Sequence, residues 1–167
     1  NNGTNDISMF SRNLTTGLLT ALATPVITTG LSPTGIIISP DGTSVYTSED
    51  PDNTVSMFSR NTNTGDLTAL ATPTIATGVA PFGLAISPDG TSVYVVNNGD
   101  NTMSQYSRNL ITGILTASTP ATFITGASPT SVATSPDGVS VYVANDPDNT
   151  ISMFSRALGI VWKEITN

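Results

Sequence analysis

Three acidic turns hold the side chains with the most evident chemistry: Glu49-Asp50-Pro51-Asp52, Asn97-Asn98-Gly99-Asp100 and Asn145-Asp146-Pro147-Asp148. Clustered carboxylate and amide oxygens suit a hard cation such as calcium, which takes several oxygen ligands. Asp50, Asp52, Asp100, Asp146 and Asp148 are therefore candidate calcium ligands, and calcium is the one cofactor the residues suggest. The same residue types also make turns by bonding their own backbone, and the spacing lacks the D-x-D-x-D-G run and distant Glu of a calcium loop. Histidine and cysteine are absent from the chain. That removes the usual general base, the usual neutral metal ligand and the thiolate nucleophile, so no serine triad, zinc hydrolase or cysteine enzyme is supported.

A second charged set repeats at fixed spacing. Asp41, Asp89 and Asp137 each sit in a Ser-Pro-Asp-Gly turn, while Arg12, Arg60, Arg108 and Arg156 each close a Ser-Arg segment. If both sets lie at one end of a small sheet, the Asp of one turn meets the Arg beside another. Repetition in every unit marks this as a structural ladder rather than a catalytic set, and buried bidentate pairs contribute more than surface ones.

The elements that position these residues come from an internal repeat. SPDGTSVY runs from Ser39 to Tyr46 and from Ser87 to Tyr94, and returns as SPDGVSVY from Ser135 to Tyr142. Aligning Asn5, Asn53, Asn101 and Asn149 gives ungapped units over 5–52, 53–100 and 101–148, with a partial unit over 149–167. The whole chain, 1–167, thus reads as a single repeat domain. In the middle unit the predicted strands are Phe82–Ser87, Ser92–Asn97, Thr102–Arg108 and a short stretch from Ile114, divided by Pro-Asp-Gly, Asn-Gly-Asp and Thr-Gly turns. Helical spacing of apolar residues is missing.

Four antiparallel strands in a unit a little over 40 residues long are the signature of a β-propeller blade. Blades stack face to face, which explains runs such as Ile36-Ile37-Ile38 that a sheet with one wet face would not tolerate. The predicted class is all-β, with about three and a half blades. SPDGTSVYV together with Thr16-Gly17-Leu18-Leu19-Thr20, Thr64-Gly65-Asp66-Leu67-Thr68 and Thr112-Gly113-Ile114-Leu115-Thr116 resembles the lactonase and YVTN group of seven-bladed propellers up to Arg156. The resemblance implies the fold. The lactonase activity it also implies needs polar catalytic residues in the central channel, and no such set maps onto this sequence.

Three and a half blades do not close a ring of four to eight, so exposed blade faces and strand edges are expected to be covered. The outer strand pair near the start can complete the last blade of a second copy; otherwise the contacts propagate into a filament, or further blades follow in a longer chain. The predicted partners are a homo-oligomer or polymer, with a protein or glycan ligand on the loops TTGLSPTG, ATGVAPFG and ITGASPTS. Phe82 in those loops and Trp162 in the divergent tail are candidate contact residues. A net charge of −7 and a pI near 4.1 disfavour nucleic acid, and no apolar run reaches the ~20 residues of a membrane span. A surface wetted by hydroxyls and amides suggests a secreted or cell-envelope protein. The reading drawn from the residues is a non-catalytic module for binding or assembly, with a fragment of a lactonase-like enzyme and a filament-forming subunit as alternatives.

Overall fold

The computed structural model describes residues 1, 3–146 and 148–156. Among these there are thirteen strands and no helix, so no helix is long and apolar enough to cross a membrane. An outer pair, β1 (Asp6–Arg12) and β2 (Leu19–Thr28), precedes two four-stranded blades. The first blade is β3 (Pro33–Ile38), β4 (Ser44–Glu49), β5 (Thr54–Arg60) and β6 (Leu67–Ala76). The second is β7 (Pro81–Ile86), β8 (Ser92–Asn97), β9 (Thr102–Arg108) and β10 (Leu115–Ile124). A third sheet holds β11 (Pro129–Thr134), β12 (Ser140–Asn145) and β13 (Thr150–Ser155).

Every neighbouring pair is antiparallel and sequential, a meander from the innermost strand outward. The turns follow from their residues. Gly42, Gly90 and Gly138 all adopt φ of 71–74° in the Ser-Pro-Asp-Gly turns, where glycine meets no steric penalty. The fourth strands are longer than the sequence suggested. β6 and β10 run on through Pro73 and Pro120 with a register shift against their neighbours, and an outermost strand accommodates proline because one edge needs no ladder bonds.

The core lies between blades, not within them. Strand alternation gives each sheet two faces, and β4 is buried along its whole length because neighbours cover both. One cluster joins Tyr46, Val55 and Met57 of the first blade to Val93, Val95 and Tyr106 of the second. Another joins Tyr94, Val96 and Met103 of the second blade to Val132, Val141 and Val143 of the third. Each such side chain contributes roughly 1.5–3 kcal/mol by leaving water, so the blades are stable chiefly as a stack. Gly35 sets the spacing: a Cβ there would lie 2.6 Å from the Phe82 carbonyl oxygen and 2.5 Å from Leu84 Cδ1. The innermost strands β3, β7 and β11 lie side by side around the axis.

Candidate functional site

The loops entering β3, β7 and β11 and the turns after β4, β8 and β12 share one end of the stack, because Pro33 pairs with Glu49, and Pro81 and Pro129 with Asn97 and Asn145. Ser32, Ala80 and Ser128 hold φ of 47–51° in these loops, a left-handed conformation that costs non-glycine residues of order 1 kcal/mol or more and persists only when its surroundings hold it. Two clamps do so. The amides of Leu31, Val79 and Ala127 donate to Asp52, Asp100 and Asp148 at 2.7, 2.6 and 2.6 Å. The amides of Ser32, Ala80 and Ser128 donate to the side chains of Asn5, Asn53 and Asn101 at 2.9, 2.9 and 2.7 Å. The asparagine clamps come from the preceding sheet, so each loop is fastened to two sheets at once.

Three of the five candidate calcium ligands, Asp52, Asp100 and Asp148, are thus engaged with backbone amides of separate loops. Among the described residues no group of three or more carboxylate, imidazole or thiol side chains is arranged around a common point. Asp50 and Asp146 differ. Their amides donate to the carbonyls of Ser32 and Ser128 at 3.3 and 3.2 Å, as Asn98 does to Ala80 at 2.9 Å. Asn98 also reaches across to the Pro129 carbonyl, 3.3 Å away, at the start of the next innermost strand. This register position therefore sits where neighbouring innermost strands meet, at the loop end of the stack, which forms its mouth. Phe82, on β7 at the same end, is 45% exposed. Trp162 lies outside the described residues.

Beneath the mouth is a residue that the sequence reading quoted without assigning it a role. Glu49 is fully buried and occupies the register position of Asn97 and Asn145. Asn97 satisfies both ends of its amide, donating to Thr102 and Ser104 at 2.9 Å each and accepting from Thr77 at 2.8 Å. Glu49 accepts from the hydroxyls of Thr47 and Thr54. Burial raises its pKa above the ordinary carboxylate range, and the hydroxyls offset only part of that. Aligning the repeats exposes this change of residue type; its burial needed the fold.

The charged ladder lies at the opposite end and runs between blades, not within them as the turn geometry had suggested. Arg108 of β9 meets Asp41 of the first blade through Nη1 at 2.8 Å and Nη2 at 3.1 Å. It also donates to Tyr46, Thr43 and Ser44 at 2.9–3.0 Å. Arg156 meets Asp89 of the second blade at 2.8 Å. Partial burial alone would raise the Asp41 pKa, but hydrogen bonds from Arg108, Ser39 and Thr43 hold it well below the usual carboxylate range. Asp89 is held down in the same way by Ser87, Thr91 and Arg156. The direction of the offset leaves two ends. Arg60 donates to its own blade's Gly42 carbonyl at 3.2 Å, and Asp137 accepts from Ser135 and Val139 of its own turn.

The sequence profile of a family described as "Lactonase, 7-bladed beta-propeller" matches residues 1–159. The chain belongs to this lactonase propeller family. Among solved structures, a periplasmic gluconolactonase of Pseudomonas aeruginosa shares 25% identity and a TM-score of 0.78, over 93% of this chain and 45% of that one. A provisionally assigned 6-phosphogluconolactonase of Bacteroides fragilis shares 25% identity and a TM-score of 0.81, over 93% and 46%. A similarly assigned protein of Bacteroides uniformis, at 22% identity and a TM-score of 0.82, shares the fold. No curated protein matches the sequence. The chain spans a little under half the length of these solved relatives. These likenesses overturn the reading of a non-catalytic binding or assembly module, which rested on missing histidine and cysteine. A lactonase-like propeller fragment fits the findings instead.

Proposed function

We propose that the chain forms about half of a propeller that hydrolyses a sugar lactone at the loop end. The observation that carries this is the family match across residues 1–159; the name of the gluconolactonase neighbour indicates the substrate class. A lactone is a cyclic ester. Water adds to its carbonyl carbon, the ring C–O bond breaks, and the departing oxygen takes up a proton to leave a hydroxy acid. With no histidine or cysteine in the chain, a carboxylate is the base that the loop end of this half offers to take the proton from the attacking water. Asp50 and Asp146 are the carboxylates of the mouth that suit this role, since Asp52 and Asp148 are occupied in holding loops. Phe82 offers an aromatic face for the carbons of a sugar ring.

Charge selects among lactones. The four arginines close third strands at the ladder end, so this half brings no described cationic side chain to the mouth, and a net charge of −7 opposes a phosphate dianion. A neutral aldonolactone is the preferred substrate. The test is release of acid from glucono-1,5-lactone by the whole polypeptide, corrected for spontaneous opening, beside the 6-phosphorylated lactone. The neutral lactone should turn over faster, and either Asp50→Asn or Asp146→Asn should lower kcat by about 10²-fold with little change in KM. Unchanged turnover in both variants would remove the carboxylates from the mechanism, and absence of any lactone hydrolysis would remove the function.

A further inference from the structure

One register position at the mouth changes its chemistry from repeat to repeat. Asp50, Asn98 and Asp146 all donate their amides to the entry loop beside them, at 3.3, 2.9 and 3.2 Å. Proline follows each aspartate, however, and glycine follows the asparagine. A proline nitrogen carries no hydrogen. The nitrogen of Gly99 does, and it is the atom that closes a cyclic imide on the Asn98 side chain when the two meet.

Packing accounts for the glycine. A Cβ at residue 99 would lie 2.8 Å from Val79 Cγ1 and 3.2 Å from the Val79 carbonyl oxygen, so the turn closes beneath the entry loop only without a side chain there. The same choice leaves Asn98 followed by the residue that hinders ring closure least. Asn98 is half-buried, and Gly99 and Asp100 are exposed, so water reaches the turn. Two hydrogen bonds restrain the reacting groups. Gly99 donates its amide to the Val79 carbonyl at 3.0 Å, and Asn98 Nδ2 donates to the Pro129 carbonyl at 3.3 Å. The first depends on where Val79 sits, and the Val79 amide is itself fixed by Asp100 at 2.6 Å. Asp100 therefore acts as a latch on the Gly99 nitrogen.

We infer that Asn98 is a site of spontaneous deamidation, latched by Asp100 through Val79. Asparagine is among the thermolabile residues, and local opening of the loop frees the groups to react. The Gly99 nitrogen gives its proton to solvent base and attacks Asn98 Cγ. The N–Cγ bond forms, the Cγ–Nδ2 bond breaks, and the departing nitrogen takes up a proton and leaves as ammonia. Water then opens the imide: breaking the new N–Cγ bond gives aspartate, and breaking the original peptide bond gives isoaspartate. One water is consumed for each ammonia released. The product carries a carboxylate at the register of Asp50 and Asp146. A carboxylate has no hydrogen to offer the Pro129 carbonyl, so the bond from the second blade to β11 is lost and like charge accumulates at the mouth. This inference stands independently of the lactone chemistry.

The whole chain, kept folded in mildly alkaline buffer, should release ammonia and gain the mass of an amide-to-acid exchange in the tryptic fragment from Asn61 to Arg108. Fragment masses should place the change at Asn98 rather than at Asn61, Asn63, Asn97 or Asn101. Asn98→Gln, which keeps a donor for the Pro129 carbonyl, should abolish it. Asp100→Ala should quicken the reaction about fivefold, as one lost hydrogen bond changes loop opening, while Asn2 of the other Asn-Gly pair keeps its wild-type rate. In strong guanidinium chloride the two chains should react alike. Asn98→Asp, the product by substitution, should show faster hydrogen exchange across Gly126–Ser131 than Asn98→Gln. No mass gain at Asn98 overturns the site. Equal folded rates in wild type and Asp100→Ala, or a difference that persists in denaturant, overturn the latch, and unchanged exchange in Asn98→Asp overturns the effect on the contact between blades.

Discussion

Glu49 stands where the other repeats place an amide, and that substitution ties the stability of the fold to pH. Its folded pKa is raised by burial, so the folded state holds the proton more tightly than the unfolded one. The contribution is full below the unfolded value, near 4.3 for a glutamate, and is lost as pH rises through the elevated folded value. Glu49→Asn, which restores the amide of Asn97, should flatten the dependence of melting temperature on pH above about 4.3 and raise stability at neutral pH; an unchanged slope would show that the carboxylate is solvated. Asp41 and Asp89 act with the opposite sign. Their depressed values give stability that is present above the ordinary aspartate pKa of about 3.9 and lost as pH falls. Arg108→Met should therefore weaken the acid limb of the stability profile. It should also cost about 2 kcal/mol in urea unfolding at neutral pH, because the Tyr46 and Ser44 hydroxyls lose a buried donor. Arg60→Met removes a bond to one carbonyl, and its cost should stay below about 1 kcal/mol.

At the scale of strands and loops, the close approach of inner strands is decided by glycine and the shape of the mouth by side-chain clamps. Gly35→Ala places a methyl group 2.6 Å from the Phe82 carbonyl oxygen, and neither backbone yields without parting the blades. The expected loss is about 3 kcal/mol, read as a fall in the urea midpoint, and no loss would mean that the stack is looser than its core suggests. Asp100→Ala should release Val79 and let the Gly78–Ala80 loop relax from its left-handed residue, at a cost of about 1 kcal/mol. Since Asp52, Asp100 and Asp148 are engaged by amides, neither calcium nor a chelator should move the melting temperature. A rise with calcium would return these carboxylates to metal binding. Strand positions were legible because turn residues recur with the repeat. The longer fourth strands were not, since Pro73 and Pro120 look like strand endings until an outer edge is known to tolerate them.

For the whole molecule, the controlling fact is that each sheet is two-sided and finds its cover in its neighbours. The exposed Tyr142, Ile151 and Met153 follow from this, as does the charged ladder that runs from blade to blade. The sequence by itself determined the repeat, the all-β blade, the turn residues and the periodic aspartates and arginines, because period and turn chemistry are local properties written in residue type. It also encodes no imidazole and no thiol. Only the tertiary structure decided that Arg108 reaches Asp41 across 67 residues, that three aspartates hold loops while Asp50 and Asp146 stand at the mouth, and that Glu49 is sealed from water. Those distinctions depend on how one sheet is offset against the next, and that offset is fixed by packing between residues far apart in the chain.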